Sequence, residues 1–149
     1  MPSIQLCSPT HPEFTKLVAK LDAYLAVTDG EEHGFYDQFN SPSTLDAAII
    51  LLSDERGIGC AGYRIKPDNT VELKRMFVTE DQRGSGAASE LLSFLEETAK
   101  QKGFKRIVLE TGVRQVAAVK FYERSGYVCI ENYPPYVAME NSVCYEKVL

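Results

Sequence analysis

A glycine-bearing turn between a strand and a helix is the first place where residue types and spacing could do chemistry. The turn is Arg83-Gly84-Ser85-Gly86-Ala87-Ala88, and it follows the strand-like run Met76-Phe77-Val78. Glycines let the backbone approach a ligand closely, and the free N–H groups and macrodipole of a helix N-terminus favour an anion. The turn therefore predicts a phosphate-binding site.

Two nucleotide-binding loops share this order of strand, glycine turn and helix. A mononucleotide P-loop needs Lys followed by Ser or Thr after its last glycine, and Ala87-Ala88 stand there instead. A dinucleotide fingerprint needs a third glycine, and the residue three positions after Gly86 is Ser89. Both loops are therefore weak explanations of the turn.

The pattern Arg83-x-x-Gly86-x-Ala88 resembles the Gln/Arg-x-x-Gly-x-Gly/Ala loop of the GNAT superfamily of acetyl-CoA-dependent N-acetyltransferases. Further along, Phe121-Tyr122-Glu123-Arg124-Ser125-Gly126-Tyr127 is similar to that family's Phe-Tyr-Glu-x-x-Gly-Phe/Tyr motif. The resemblance is specific from about Val71 to Tyr127, and the presence of two motifs in the right order and spacing argues against chance agreement. It implies a single N-acetyltransferase domain over residues 1–149, with acetyl-CoA as cofactor.

The resemblance also implies roles for individual residues. The amides from Arg83 to Ala88 would bind the diphosphate of CoA, and the backbone of Met76 and Val78 would pair with the pantetheine arm. Tyr122 matches a tyrosine whose phenol points at the cofactor sulfur in many members. Gln115 stands where the family commonly has asparagine, and its longer side chain leaves the geometry of a cofactor contact open.

The group that removes the acceptor's proton has two candidates. A primary amine has a pKa near ~10.4, so little of it is nucleophilic at neutral pH. Glu72 lies on the strand before the glycine loop, at the spacing of the glutamate that some family members use as a base. Unless a bulge interrupts the strand, its alternation would place four side chains on one face: Glu72, Lys74, Met76 and Val78. Glu110, on the next strand, is the second candidate, and an acceptor presented neutral would need neither.

The sequence indicates the acceptor substrate less clearly than it indicates the cofactor site. Two groups of residues could line its pocket, although packing over the sheet edge explains them equally well: His33, Phe35, Tyr36 and Phe39 in an early loop, and Tyr133, Pro134, Pro135 and Tyr136 near the C-terminus. By family analogy we expect direct transfer in a ternary complex to an amine of a small molecule or amino acid. Acetylation of a protein lysine or N-terminus, and a non-catalytic acyl-CoA sensor, are the alternatives.

Bulk properties narrow the class of protein. The chain has 149 residues, enough for one domain with a real core, and its composition of 44% apolar and 25% charged residues is that of an ordinary globular protein. A net charge of −5 argues against nucleic acid as a partner. Four widely spaced cysteines argue against a metal site and favour a cytoplasmic location, and no apolar stretch approaches membrane-spanning length. Edge strands of a closing hairpin would allow a homodimer, which the sequence does not establish.

Hydrophobic patterning predicts the elements that position these residues. We expect strands at residues 3–7, 47–52, 58–65, 71–78, 106–110, 127–132 and 142–148, and helices at 11–28, 88–99 and 115–124, with a short helix or turn within 31–44. Thr10 is the expected N-cap of the first helix. This order predicts an α/β fold of GNAT type, with a mixed, mostly antiparallel sheet and helices on both faces. The resemblance implies that two parallel strands splay apart, opening a cleft between Met76-Phe77-Val78 and Leu109-Glu110-Thr111.

Overall fold

The computed structural model describes residues 2–29 and 45–149. These residues form seven strands, three helices and a short 3₁₀ turn, in the following order: β1 (Ser3–Cys7), α1 (Pro12–Asp29), β2 (Ala47–Ser53), β3 (Arg56–Lys66), β4 (Thr70–Val78), the 3₁₀ turn (Glu80–Gln82), α2 (Ala87–Gln101), β5 (Arg106–Gly112), α3 (Val116–Arg124), β6 (Val128–Ile130) and β7 (Ser142–Val148). The predicted strands and helices are confirmed. The segment expected at 31–44, with His33, Phe35, Tyr36 and Phe39, lies outside the described residues.

The described strands make one sheet in the order β1-β2-β3-β4-β5-β7-β6. Every neighbouring pair is antiparallel except β4 and β5, which are parallel because α2 crosses between them. The last strand, β7, lies between β5 and β6, so β6 is at the sheet edge. The prediction of a mixed, mostly antiparallel α/β fold is confirmed.

One face of the sheet is covered by α1. Phe14, Leu17 and Val18 recur at helical spacing and pack against Ile50 and Cys60 on the sheet. These side chains are almost completely buried. Burying each large apolar side chain contributes roughly 1.5–3 kcal/mol, so this stripe fixes α1 against β2 and β3.

The opposite face is covered by α2. Leu91, Leu95 and Ala99 are fully buried in a second core cluster with Ile49 and Ile107 of the sheet. The helix ends near Gly103, whose φ of +91° is the left-handed conformation that a helix C-terminus commonly uses. Helices therefore lie on both faces, as the sequence predicts.

The start of α1 differs from the prediction. The helix begins at Pro12, so the residue in the N-cap position is His11 and not Thr10. His11 Nδ1 accepts a hydrogen bond from the Glu13 N–H at 3.1 Å, while the Thr10 hydroxyl pairs with Ser8 at 2.7 Å. The imidazole thus satisfies a free helix amide that a threonine was expected to satisfy.

The parallel strands β4 and β5 diverge along their length. They pair only from Thr70 opposite Arg106 to Glu72 opposite Val108. Beyond that point no ladder joins them within the described residues, and the residues after Leu73 and Leu109 face a gap. The splayed pair implied by the family resemblance is present.

A β-bulge in β4 overturns the expected alternation of side chains. Cys60 of β3 pairs with Phe77, but Gly62 pairs with Lys74, so β4 carries one extra residue between those positions. Arg75, in this interval, has a φ of +58°. The extra residue reverses the alternation, and the prediction that Glu72, Lys74, Met76 and Val78 share one face is therefore wrong.

The bulge separates the four side chains into two pairs. Val71, Leu73, Met76 and Val78 all pack with the core under α2. Glu72 and Lys74 alternate with Val71 and Leu73, so they point to the other face, where α1 lies. The carboxylate of Glu72 therefore lies across the strand from the side chains of Met76 and Val78.

Candidate active site

A cavity of about 520 Å³ occupies the gap between β4 and β5. It reaches from the glycine turn at one end to the buried charges of β4 at the other. Most of the residues predicted for the site line it: Glu72, Met76, Phe77, Val78, Arg83, Gly84, Gly86, Ala87, Ala88, Glu110, Gln115 and Tyr122. Ser85 does not, and its hydroxyl donates to the Gln82 carbonyl instead.

The glycine turn has the backbone geometry of an anion cradle. Gly84 and Gly86 have φ values of +81° and +89°, which only glycine adopts without strain, and a Cβ at either position would meet no atom within 4 Å. Gly86 is the N-cap of α2. Among the described residues, no hydrogen bond uses the N–H of Gly84, Gly86, Ala87 or Ala88. Several donors therefore converge on open space beside the cavity.

Arg83 adds a positive charge at this end of the cavity. Its Nε donates to the Val78 carbonyl at 3.4 Å, and its guanidinium lies over the rings of Tyr24 and Phe77, at 5.5 and 5.8 Å from their centroids. Within the described residues it forms no ion pair with a carboxylate. The cation and the free amides are thus adjacent and of a sign that suits phosphate.

The edge of β4 that faces the gap carries backbone groups that β5 does not reach. The Thr79 N–H donates to the Ile58 carbonyl at 3.0 Å, on the β3 side. Because backbone groups alternate in direction along a strand, those of Val78 and Met76 face the gap. An extended chain with amides could add there as a further strand.

Tyr122 stands on α3 at the cavity wall. Only 6% of the residue is exposed, and its ring packs against Phe121 and Tyr127 with centroids 5.2 and 5.7 Å apart. Its hydroxyl makes no hydrogen bond with any described residue. Burial raises the pKa of this phenol well above its ordinary value, so the hydroxyl is protonated at neutral pH and available as a donor.

Gln115 is the N-cap residue of α3 and also lines the cavity. The residue is 9% exposed, and its Nε2 is buried without a hydrogen-bond partner among the described residues. A buried amide donor without a partner costs roughly 1–3 kcal/mol. An acceptor group entering the cavity would relieve that cost.

The far end of the cavity holds a buried cluster of charges and phenols. Glu72 is 2% exposed, and its Oε2 accepts a hydrogen bond from the Tyr133 hydroxyl at 2.8 Å. Lys74 Nζ lies 3.8 Å from the same oxygen and donates to the Tyr136 hydroxyl at 3.1 Å. Burial lowers the pKa of Lys74, and the charge of Glu72 opposes that shift.

The loop that carries these phenols is held by one amide. Asn132 Nδ2 lies within hydrogen-bond distance of three backbone carbonyls, those of Tyr136, Met139 and Ser142, at 3.2, 3.2 and 3.0 Å. Tyr133 and Tyr136 stack edge to face with centroids 5.7 Å apart. Tyr136 lines the cavity, while Tyr133 contributes through its bond to Glu72. Pro134 and Pro135 do not line the cavity.

Three side chains of the site were missed by sequence reasoning. The Arg75 guanidinium is buried and pairs with the Asp22 carboxylate of α1, which joins the bulge to the helix. Tyr24 lies three residues after Leu21 of the apolar stripe, a spacing that puts it beside the cavity. Lys74 was expected only to share a strand face with Glu72, with no role of its own in the site. Their long-range contacts, with Asp22, Arg83 and Tyr136 respectively, join elements far apart in the chain, so no local sequence pattern predicts them.

Comparison with known proteins identifies the family of this chain. The profile of the Acetyltransferase (GNAT) family matches residues 14–127. The chain belongs to the GNAT acetyltransferase family. Acetyl-CoA is the acetyl donor of GNAT enzymes, and it is the cofactor of this chain.

Three GNAT-like proteins illustrate the similarity. A crystal structure of a Klebsiella pneumoniae protein assigned as an acyl-CoA N-acyltransferase is 31% identical and covers 100% of this chain and 98% of that one, with a TM-score of 0.84. The IAA acetyltransferase of Azospirillum brasilense is 28% identical over 153 residues, covering 100% of each chain. Probable N-acetyltransferase 14 of Xenopus tropicalis is 46% identical over 80 residues, which are 52% of this chain and 39% of that protein. The match thus spans less than half of this last relative.

The residues of this GNAT chain fit acetyl-CoA. The free amides beside Gly84 and Gly86 suit a diphosphate, the gap edge of β4 suits an amide-bearing arm, and the partnerless Nε2 of Gln115 suits a carbonyl. No helix among the described residues is long and apolar enough to cross a membrane.

Proposed function

We propose that this GNAT chain transfers the acetyl group of acetyl-CoA directly to an amine of a small molecule or amino acid. The observation that carries the proposal is the single cavity that joins the free amides of the glycine turn to the buried carboxylate of Glu72. Tyr122 lines the same cavity. An anion site, a proton acceptor and a hydroxyl donor thus line one cavity.

The donor end of the cavity binds and orients the cofactor. The N–H groups of Gly84, Gly86, Ala87 and Ala88, together with Arg83, hold the diphosphate. Charge-assisted hydrogen bonds of this kind are worth roughly 1.5–3 kcal/mol each. Backbone groups of Met76 and Val78 hold the pantetheine arm in the gap, and the side-chain amide of Gln115 donates to it.

Proton removal is assigned to Glu72. Its carboxylate is nearly inaccessible to bulk solvent and is held in place by the Tyr133 hydroxyl, so it can receive the amine proton directly or through one water. Glu110 lines the same cavity from β5 and is the second candidate. The two carboxylates differ in burial, since Glu110 is only half-buried.

Stabilisation of the leaving group is assigned to Tyr122. Acetyl-CoA supplies a thioester, whose C–S bond breaks as the amine nitrogen bonds to the carbonyl carbon, leaving a thiolate. The conjugate acid of a thiolate has a pKa around ~8.5, well below that of a buried phenol. Tyr122 therefore acts as a hydrogen-bond donor to the developing charge, and full proton transfer from it is uphill.

Direct transfer is favoured by the positions of the thiols. None of the four cysteines lines the cavity: Cys7, Cys60, Cys129 and Cys144. Burial raises the pKa of Cys60 to about 12 and that of Cys144 to about 11, which disfavours the nucleophilic thiolate. These positions and pKa shifts argue against a covalent acyl-enzyme on cysteine and support the proposed transfer in a ternary complex.

A small acceptor is favoured by the size and chemistry of the cavity. The cavity of about 520 Å³ must take the pantetheine arm as well as the acceptor, which leaves space for a small acceptor, and buried groups line the acceptor end. Glu72 and Glu110 give this end negative charges that can pair with a protonated amine. Proteins with exposed lysines or N-termini are the alternative acceptors.

The test is a titration followed by a turnover assay. Calorimetry should show saturable binding of CoA to the wild-type protein, and CoA release across a panel of small amines, amino acids and peptides should identify an acceptor. Initial velocities at varied concentrations of both substrates should give intersecting lines, as a ternary complex requires, whereas parallel lines would contradict direct transfer.

The other outcomes separate the alternatives. Turnover confined to peptides would replace the small-molecule proposal with protein acetylation. Tight CoA binding without turnover on any acceptor would favour an acyl-CoA sensor. Absence of saturable CoA binding would overturn the assignment of the glycine turn.

A further inference from the structure

The side chain of Arg83 is held by two aromatic rings from different elements. Its guanidinium lies 5.5 Å from the ring centroid of Tyr24 on α1 and 5.8 Å from that of Phe77 on β4. Both distances are within the range of about 6 Å over which a cation is attracted to an aromatic face. Tyr24 is 44% exposed, so its ring is not retained there by core packing alone.

The same arginine has donors to spare. Its Nε donates to the Val78 carbonyl at 3.4 Å, whereas its two terminal nitrogens make no hydrogen bond with any described residue. A guanidinium that is stacked and anchored by Nε keeps its terminal N–H groups in a defined plane. An arginine on an exposed turn would otherwise lose considerable side-chain entropy on binding an anion.

The helix that supplies Tyr24 is itself fixed. Arg75 of the β4 bulge pairs with Asp22, two residues before Tyr24, and also donates to the Val18 carbonyl at 3.4 Å. Leu21 and Tyr24 line the cavity. The wall formed by α1 is therefore tied to β4 at the bulge and to the glycine turn at Arg83.

We propose that Tyr24 is a positioning residue for diphosphate binding, acting by holding the Arg83 guanidinium between its own ring and that of Phe77. The inference rests on the proposed function, in which Arg83 contacts the diphosphate of CoA. It assigns to α1, an element with no motif residue, a part in binding the donor. The ligand chemistry recognised is the diphosphate, and the pantetheine arm is not affected.

Two substitutions of Tyr24 separate the ring from the bulk of the side chain. Tyr24→Leu removes the aromatic face and keeps an apolar side chain, whereas Tyr24→Phe keeps the face. The tyrosine hydroxyl makes no hydrogen bond with a described residue, so the phenylalanine variant is the matched control. At a half-exposed site the stacking is expected to change CoA affinity about two- to fivefold.

The experiment measures CoA binding by calorimetry and pantetheine binding by NMR titration in five proteins: wild type, Tyr24→Leu, Tyr24→Phe, Arg83→Met and the Tyr24→Leu/Arg83→Met double variant. Arg83→Met should weaken CoA binding roughly ten- to a hundredfold. Tyr24→Leu should weaken CoA binding two- to fivefold, leave pantetheine binding unchanged, and have no further effect in the Arg83→Met background. Tyr24→Phe should bind CoA like the wild type.

The failures are distinguishable. If Arg83→Met binds CoA as tightly as the wild type, the proposed role of Arg83 in the donor site is wrong, and the inference falls with it. The positioning role of Tyr24 is overturned, while the donor site stands, if Arg83→Met weakens CoA binding but Tyr24→Leu does not. It is also overturned if Tyr24→Leu weakens pantetheine binding as much as CoA binding, or if its effect on CoA binding is fully additive to that of Arg83→Met.

Discussion

Replacing Tyr122 by phenylalanine removes one hydroxyl and little else. The ring contacts with Phe121 and Tyr127, at centroid distances of 5.2 and 5.7 Å, are kept. The hydroxyl makes no hydrogen bond with a described residue, so its loss breaks none in the free protein. We therefore expect the free energy of unfolding of Tyr122→Phe to lie within about 0.5 kcal/mol of the wild-type value.

The catalytic effect should be much larger than the effect on stability. A hydrogen bond to a charged group is worth roughly 1.5–3 kcal/mol, and each 1.36 kcal/mol is tenfold in rate. Loss of the donor to the thiolate should thus lower kcat about ten- to a hundredfold, with CoA affinity nearly unchanged. General acid catalysis by the phenol would instead be worth roughly a hundred- to ten-thousandfold. Because the pKa of Tyr122 is raised by burial, its ionisation should not shape the pH profile of kcat below about pH 10.

The assay is CoA release at saturating acceptor, with thermal unfolding of the same samples. Tyr127→Phe is the control, because its hydroxyl donates to Glu96 at 2.9 Å and lies outside the cavity. That control should lose about 1 kcal/mol of stability and keep its kcat. Wild-type kcat in Tyr122→Phe would refute the assigned role, as would a loss of activity fully accounted for by unfolding.

Glu72→Gln should lower kcat/KM more than tenfold at neutral pH, and part of the activity should return at higher pH, where more of the acceptor amine is already deprotonated. Glu110→Gln should change kcat/KM little. If a pH-rate study shows the larger loss for Glu110→Gln, Glu110 and not Glu72 is the base. Gln115→Met should leave the stability of the free protein unchanged or higher, because the Nε2 that it removes has no hydrogen-bond partner among the described residues. The same substitution should weaken CoA binding, measured by calorimetry, about two- to tenfold. Equal CoA affinities would show that Gln115 is not part of the donor site. Burial raises the pKa of Cys60 from 9.0 to about 12. Above pH 9 the Cys60 thiol therefore loses its proton in the unfolded chain but keeps it in the folded chain, so the free energy of unfolding falls as pH rises. Urea unfolding at pH 7, 9 and 10 should show a shallower decline for Cys60→Ala, and parallel declines would contradict this contribution.

The sequence carried most of the fold and the donor half of the site. Glycine spacing after Val78 predicts an anion turn because a left-handed backbone and free helix amides are local properties. The apolar period of α2 and the alternation within the strands are local as well, so the order of elements and the parallel pairing of β4 and β5 follow from the chain alone.

Two local predictions were wrong: the N-cap residue of α1 and the side-chain alternation along β4. The N-cap of α1 is His11 because its imidazole reaches the Glu13 amide, and the preference for a hydroxyl at Thr10 did not decide the matter. The alternation of side chains along β4 fails at Arg75, because the bulge there has no sequence signature. The bulge depends on how β3 and β4 pair, and its positive φ is adopted by an arginine and not by a glycine.

Residue types and their spacing thus predicted where an anion could bind and which family the chain resembles, and that resemblance implied the role of Tyr122 at the cofactor sulfur. Tertiary structure alone decided that Glu72 and Lys74 share a buried cluster with Tyr133 and Tyr136, and that Tyr24 stacks on Arg83. The physical reason is separation along the chain: the hydrogen bond between Glu72 and Tyr133 joins positions 61 residues apart, and no local pattern encodes a partner that only folding brings within reach.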